Sequence, residues 1–296
     1  MRELKEILKK NNIIARGYHK IGNSIIIEDN NKKYVVNKHK YKKDILKYLN
    51  SRNFNYYPKI YDSTDDYDIT EYIDDFEIPK EQKMNDLIHL ISLLHSKTTY
   101  YKEVDEADYK TLFEDLLNNC EYLHEYYTDL ITLIESKVFM SPPEYLLALN
   151  ITLIFDSIGY CQEQIKKWYN LVSEKEKTHK MRVSVIHNNL SLDHYLKDNN
   201  DYLISWGKSK IDIPIFDLYK LYIRNALEFD FLDILKLYEK EYPLKDEELL
   251  LFYILISMPV KIEFNKSNYD MCLYIQKEVD KLIKTSNLIN NYRKLP

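Results

Sequence analysis

The sequence predicts an α+β protein: a small antiparallel β-sheet lobe over residues 1–76, then a large and mainly helical lobe over residues 77–296. Three observations carry this reading. Short apolar runs with period-two alternation and turn residues crowd into the first 75 positions. From Pro79 onward apolar residues recur at three- and four-residue spacings. One strand–loop–hairpin stretch, Val183 to Leu221, interrupts that helical pattern. At 296 residues the chain is long enough to bury a core in each of two lobes.

In chain order, Arg2 to Lys10 reads as a short amphipathic helix with Leu4, Ile7 and Leu8 on one face. Two strand-like runs between Ile13 and Glu28 flank a hairpin turn at Gly22-Asn23, and Lys33 to Lys40 alternates as a third strand. Tyr41 to Leu49 is a helix. Lys59-Ile60-Tyr61 and Tyr67 to Ile73 give two more strands, and Asp74 to Pro79 is the linker between lobes. Met84, Leu87, Ile88, Ile91 and Leu94 then form one buried helical stripe that ends in His95, which is read as structural. A longer helix over Thr111 to Ser136 places Leu112, Leu116, Leu117, Cys120, Leu123, Tyr127, Leu130, Ile131 and Ile134 on its buried face. Ser141-Pro142-Pro143-Glu144 starts the next, because serine caps, proline suits the first turn and glutamate sits in capping-box register. That helix is expected to reach about Gly159 and resume through Trp168 and Val172. Three more follow, at Phe231–Glu241, Asp246–Met258 and Ser267–Lys284.

Composition excludes several classes. Forty-two Lys+Arg are scattered among 47 Asp+Glu, a net charge of -5, which leaves no nucleic-acid footprint. Four glycines, against roughly 7% in soluble proteins, rule out glycine-rich phosphate cradles. The 28 tyrosines are read as a base-composition effect, since no arginine-rich groove accompanies them. Three distant cysteines, Cys120, Cys161 and Cys272, sit in apolar helical patterns and read as reduced core residues. No apolar run suits a signal peptide or a membrane span, so a cytoplasmic protein is expected.

The stretch from Val183 to Leu221 carries the functional signal. A buried strand (Val183, Val185, Ile186) leads into the polar loop His187 to His194. A hairpin follows, with Tyr195-Leu196 and Tyr202-Leu203-Ile204 flanking the turn Lys197 to Asp201, then Ser205-Trp206 and a helix from Pro214-Ile215-Phe216-Asp217-Leu218. This order resembles the catalytic core of the aminoglycoside phosphotransferase and choline kinase family, whose fold is bilobal and protein-kinase-like; the spore-coat kinase-like branch of the Firmicutes is most similar. His187, Leu190, Trp206, Pro214, Phe216, Asp217 and Leu218 match its motif. The resemblance implies that His187 braces the loop and that Asp217 caps the helix it opens.

The positions that carry chemistry depart from the pattern. The catalytic aspartate is replaced by Asn189, the metal-binding asparagine by His194 and the metal-binding aspartate by Ser205. The family's phosphate-holding lysine follows an apolar strand run. Here Tyr34-Val35-Val36 is followed by Asn37, and Lys38 comes one place later, on the opposite face. Lys38 is the candidate cofactor residue, with a solvated side chain as the alternative; Asp44 is the one acidic residue in the helix that would pair with it. Phosphoryl transfer needs an oriented acceptor hydroxyl, metal ions and positive charge on the phosphates. An asparagine cannot take a proton, and magnesium prefers carboxylate oxygen.

The expectation is therefore a pseudokinase with no intact catalytic or metal residue, acting as a binding or scaffold protein toward a protein partner or small molecule, with no nucleic acid and no membrane. Two alternatives stand beside it. One is an active phosphotransferase for a small hydroxylated metabolite, using ATP and magnesium with Asp193 or Asp201 supplying the missing charge. The other is a structural assembly protein of the spore-coat kind. A zinc site from His187, Asp193 and His194 is a further rival that lacks a fourth ligand.

Overall fold

The computed structural model describes residues 6, 8–22, 24–30, 32–38, 41–64, 67–103, 106–175 and 180–292. The chain divides into two units: Met1–Thr99, Ser184–Asp217 and Lys240–Tyr242 in one, Tyr100–Val183, Leu218–Glu239 and Pro243–Pro296 in the other.

In the first unit the alternating runs become β1 (Gly17–Ile21), β2 (Ser24–Glu28), β3 (Lys33–Asn37), β4 (Ile60–Ser63) and β5 (Asp68–Glu71), an antiparallel sheet in the order β1-β2-β3-β5-β4. Its register sets Ile25 opposite Val36 and Val36 opposite Ile69, so period two places these side chains on one face. Ile27, Val36 and Ile69 pack there with Leu8 and Ile13. Most of the helix expected from Arg2 lies outside the described residues, as does Asn23 of the first turn, where Gly22 has a φ of 56°. The third strand ends at Asn37, three residues before the expected Lys40; residues 39 and 40 lie outside the described set. Helix α1 (Lys43–Ser51) buries Leu46 and Leu49, and α2 (Lys80–Thr98) buries the predicted stripe from Met84 to Leu94 together with His95. β7 (Lys180–Ile186) enters this unit at Ser184 and pairs with β10 (Lys210–Asp212); the hairpin is β8 (Tyr195–Lys197) with β9 (Asp201–Leu203).

In the second unit β6 (Tyr100–Glu103) pairs antiparallel with the first half of β7. Helices α3 (Glu106–Glu135) and α4 (Pro142–Lys175) follow, joined by a short loop that makes them antiparallel neighbours. Their buried residues fall in a three–four rhythm: Cys120, Leu123, Tyr127 and Ile134 on α3, and Ile154, Ile158, Cys161, Ile165, Trp168 and Val172 on α4. That spacing is the seam of a coiled coil. At the start of α4 the Glu144 carboxylate accepts the Ser141 N–H at 2.7 Å, the reach-back half of the capping box. Lys137 and that N–H together hold the Glu144 carboxyl down at about 2. The helix runs unbroken for 34 residues, through the expected break at Gly159. Gly159 is exposed with open space around it, so Gly159→Ala should stabilise the protein by about 0.5–1 kcal/mol, read as a rise in Tm.

The last helices are α5 (Ile215–Asn225), which starts in the first unit, then α6 (Phe231–Glu239), α7 (Asp246–Ser257) and α8 (Asn268–Tyr292). Asp230 accepts the Leu232 N–H and Ser267 the Asp270 N–H, side-chain caps of the predicted kind. Arg182 makes a two-pronged bond to the buried Glu248, Nε to Oε1 at 2.8 Å with Nη2 on Oε2, tying β7 to α7. Among the described residues no helix is long and apolar enough to cross a membrane.

Candidate functional site

The polar loop opens where β7 ends. Val183, Ser184, Val185 and Ile186 are all buried, so the strand fixes where residue 187 emerges. His187 is fully buried; its Nε2 lies 2.8 Å from the Ile204 carbonyl, and its ring meets Trp206 edge-on at 4.9 Å. Since a carbonyl only accepts, Nε2 carries the proton. Asn188 has a left-handed backbone, φ 60°, and its side-chain amide donates to the Lys208 carbonyl. Leu190 is a buried plug beneath the loop.

Asp217 holds this shape. Its two carboxylate oxygens accept the backbone N–H groups of His187 and Asn188, each at 2.7 Å, and Oδ2 also lies 3.3 Å from Nε2 of buried His95. The expectation that Asp217 caps its own helix is thus corrected: it sits inside α5 and braces the loop. His95 and His187, read from the sequence as structural, are both fully buried.

Of the chemical positions, Asn189 is half-buried, and its backbone carbonyl accepts from Nδ1 of His194 at 2.6 Å. His194 is therefore spent on loop geometry at that nitrogen. Ser205 is exposed and left-handed, φ 68° and ψ 41°, directly before buried Trp206. For a non-glycine residue this conformation costs about 1 kcal/mol. Ser205→Gly should therefore raise stability by about 0.5–1 kcal/mol in thermal unfolding. Asp193 is exposed, its N–H bonded to the Ser191 hydroxyl. Asp201 is committed elsewhere: its Oδ1 accepts from the Tyr195 hydroxyl at 2.5 Å and from Lys197 at 2.6 Å, in a cluster with Asp86. Burial and the Asp201 carboxylate push the Tyr195 hydroxyl far above its usual range. Among the described residues no three His, Cys, Asp or Glu side chains converge to hold a metal ion.

Lys38 is exposed and lies just past the end of β3. The strand's last residue, Asn37, accepts from the Ser24 hydroxyl at 2.5 Å. Directly across from Asn37 stands Asp68, 1% exposed, whose Oδ2 accepts the Tyr41 N–H at 2.6 Å. This buried carboxylate beside Asn37 escaped the sequence reading. Alternation puts Asp68 on the face opposite Ile69, so the strand's own pattern gave no signal of its burial. Asp44 is exposed on α1.

No family model matches the sequence, and neither does any curated protein. Solved structures do match. An aminoglycoside phosphotransferase from Alicyclobacillus acidocaldarius superposes with a TM-score of 0.70 at 12% identity, over 95% of this chain and 93% of that one. The chain has the aminoglycoside phosphotransferase fold. The AMP-bound complex of a spectinomycin phosphotransferase shares this phosphotransferase fold at a TM-score of 0.58 and 12% identity, over 95% and 98% of the two chains. A choline kinase from Cryptosporidium parvum matches at 0.50 and 13%, over 98% and 96%. At such identities the likeness is one of fold, and fold alone leaves the activity to the site.

Proposed function

We propose that this protein is a pseudokinase of the phosphotransferase fold, which binds a partner or small molecule and transfers no phosphate. One observation carries the reading: the loop is fully braced through Asp217 and His187, while Asn189, His194 and Ser205 stand at the positions where the resembled pattern has acids and a metal-binding amide. Asn189 can accept a hydrogen bond but takes no proton. Ser205 offers magnesium a neutral hydroxyl, and His194 offers nitrogen to an ion that prefers oxygen. Lys38, the candidate phosphate lysine, lies one residue past the end of β3, where neutral Asn37 stands. Losing two formal charges at a phosphoryl-transfer site removes several powers of ten in rate, at about 1.4 kcal/mol for each. The three unpaired cysteines fit a reducing compartment, the cytoplasm.

The test is calorimetric titration with ATP, with and without magnesium, beside a turnover screen with alcohol, sugar and aminoglycoside acceptors. We expect no magnesium-dependent binding and no turnover. Turnover that needs magnesium and falls in Asn189→Ala or Ser205→Ala would restore the active-enzyme reading.

A further inference from the structure

We propose that Cys120, Cys161 and Met258 form a three-sulfur site for a soft monovalent cation, copper(I), inside the second unit. The assignment is independent of the pseudokinase reading.

The seam between α3 and α4 brings the two cysteines together, since both occupy its inward positions and neither is exposed. A third sulfur completes the group: Sδ of Met258, the residue after α7, lies 3.6 Å from Sγ of Cys120. The Cys161 thiol also reaches the Ile254 carbonyl at 3.6 Å. That carbonyl also accepts the Met258 N–H at 3.1 Å, so the sulfurs of Cys120 and Cys161 both abut the turn of α7 that ends in Met258.

Geometry and ligand type select the ion. With metal–sulfur bonds of about 2.3 Å, a trigonal ion separates its ligand sulfurs by roughly 4.0 Å. The Cys120–Met258 spacing needs only a few tenths of an ångström of expansion to reach that. Zinc in a structural site asks for four tetrahedral ligands, and hard cations ask for oxygen, whereas thiolate with thioether is the copper(I) set. On binding, the two S–H protons leave for solvent, two sulfur–copper bonds form to the thiolates and one to the thioether, and no electron changes hands. Met258 is half-buried and lines a cavity of about 270 Å³ with Tyr127, Tyr219, Pro259, Val260 and Ile262, whereas both cysteines are fully buried.

The test is an anaerobic titration of the full chain with copper(I) presented as its coloured bicinchoninate complex, following loss of the colour. The wild type and Cys272→Ser should each withdraw one equivalent. Cys120→Ser and Cys161→Ser should hold copper at least about tenfold more weakly, since even a supporting residue around a metal is worth that much. Met258→Leu conserves volume and keeps the helical circular dichroism, so its loss of affinity, again about tenfold, separates ligation from folding. A wild type that leaves the colour unchanged overturns the proposal. So does a Met258→Leu protein that binds as the wild type does, or a Cys272→Ser protein that fails to bind.

Discussion

Asp217→Ala should destabilise the first unit by about 3–5 kcal/mol, the largest effect expected of any single polar side chain here. The carboxylate is fully buried and accepts two backbone N–H groups besides facing His95. Alanine would leave both N–H groups buried without an acceptor, at about 1–3 kcal/mol each, and would open a void as well. Asp217→Asn keeps the volume and one accepting oxygen but turns an NH₂ toward a donor, so it should cost about 1–3 kcal/mol. The two tryptophans make the measurement clean. Trp206 belongs to the first unit and Trp168 to the second. In a Trp168→Phe background, fluorescence then follows the loop's own unit, and its thermal midpoint should drop by roughly 10 °C in Asp217→Ala. A midpoint within a degree of the parent would refute the bracing role.

Trp206→Ala should cost a similar amount, about 3–5 kcal/mol, for a different reason. The indole is wholly buried, edge-on to His187 at 4.9 Å and to Phe54 and Tyr57 at 6.1 and 6.2 Å, and its Nε1–H donates to the Leu203 carbonyl at 2.7 Å. It joins the hairpin's exit to the loop and to the residues after α1. Trp206→Phe retains most of the packing and loses the hydrogen bond, so about 1–2 kcal/mol is expected. Near-UV circular dichroism should lose its indole couplets while the helical signal of the second unit persists. Equal stability of the alanine variant and the parent would mean that this packing contributes nothing.

Much of this was legible in the chain because local pattern and tertiary context agreed. The sheet strands announced themselves by alternation, and the loop by the fixed order of His187, Leu190, Trp206 and Asp217. The misses share a cause. β6 and β10 are four and three residues long and were passed over, because pairing with β7 makes them strands, and no periodicity of their own does. The break expected at Gly159 failed because α4 packs along its length, which outweighs about 1 kcal/mol of glycine cost. α8 outran its expected end at Lys284 because Leu288 and Ile289 are still buried beyond it. Asp68 beside Asn37 could not be read at all without the register between β3 and β5. Register is a property of two segments, so one strand's sequence holds only half of it.

Because Asp217 grips the main-chain N–H groups of His187 and Asn188, its hold on the loop does not pass through the side chains at 189 and 205. Acids could be grafted at both positions: aspartate tolerates the left-handed backbone at 205, and Asn189→Asp is nearly isosteric. Scaffold and side-chain chemistry can in this sense be varied separately by mutation.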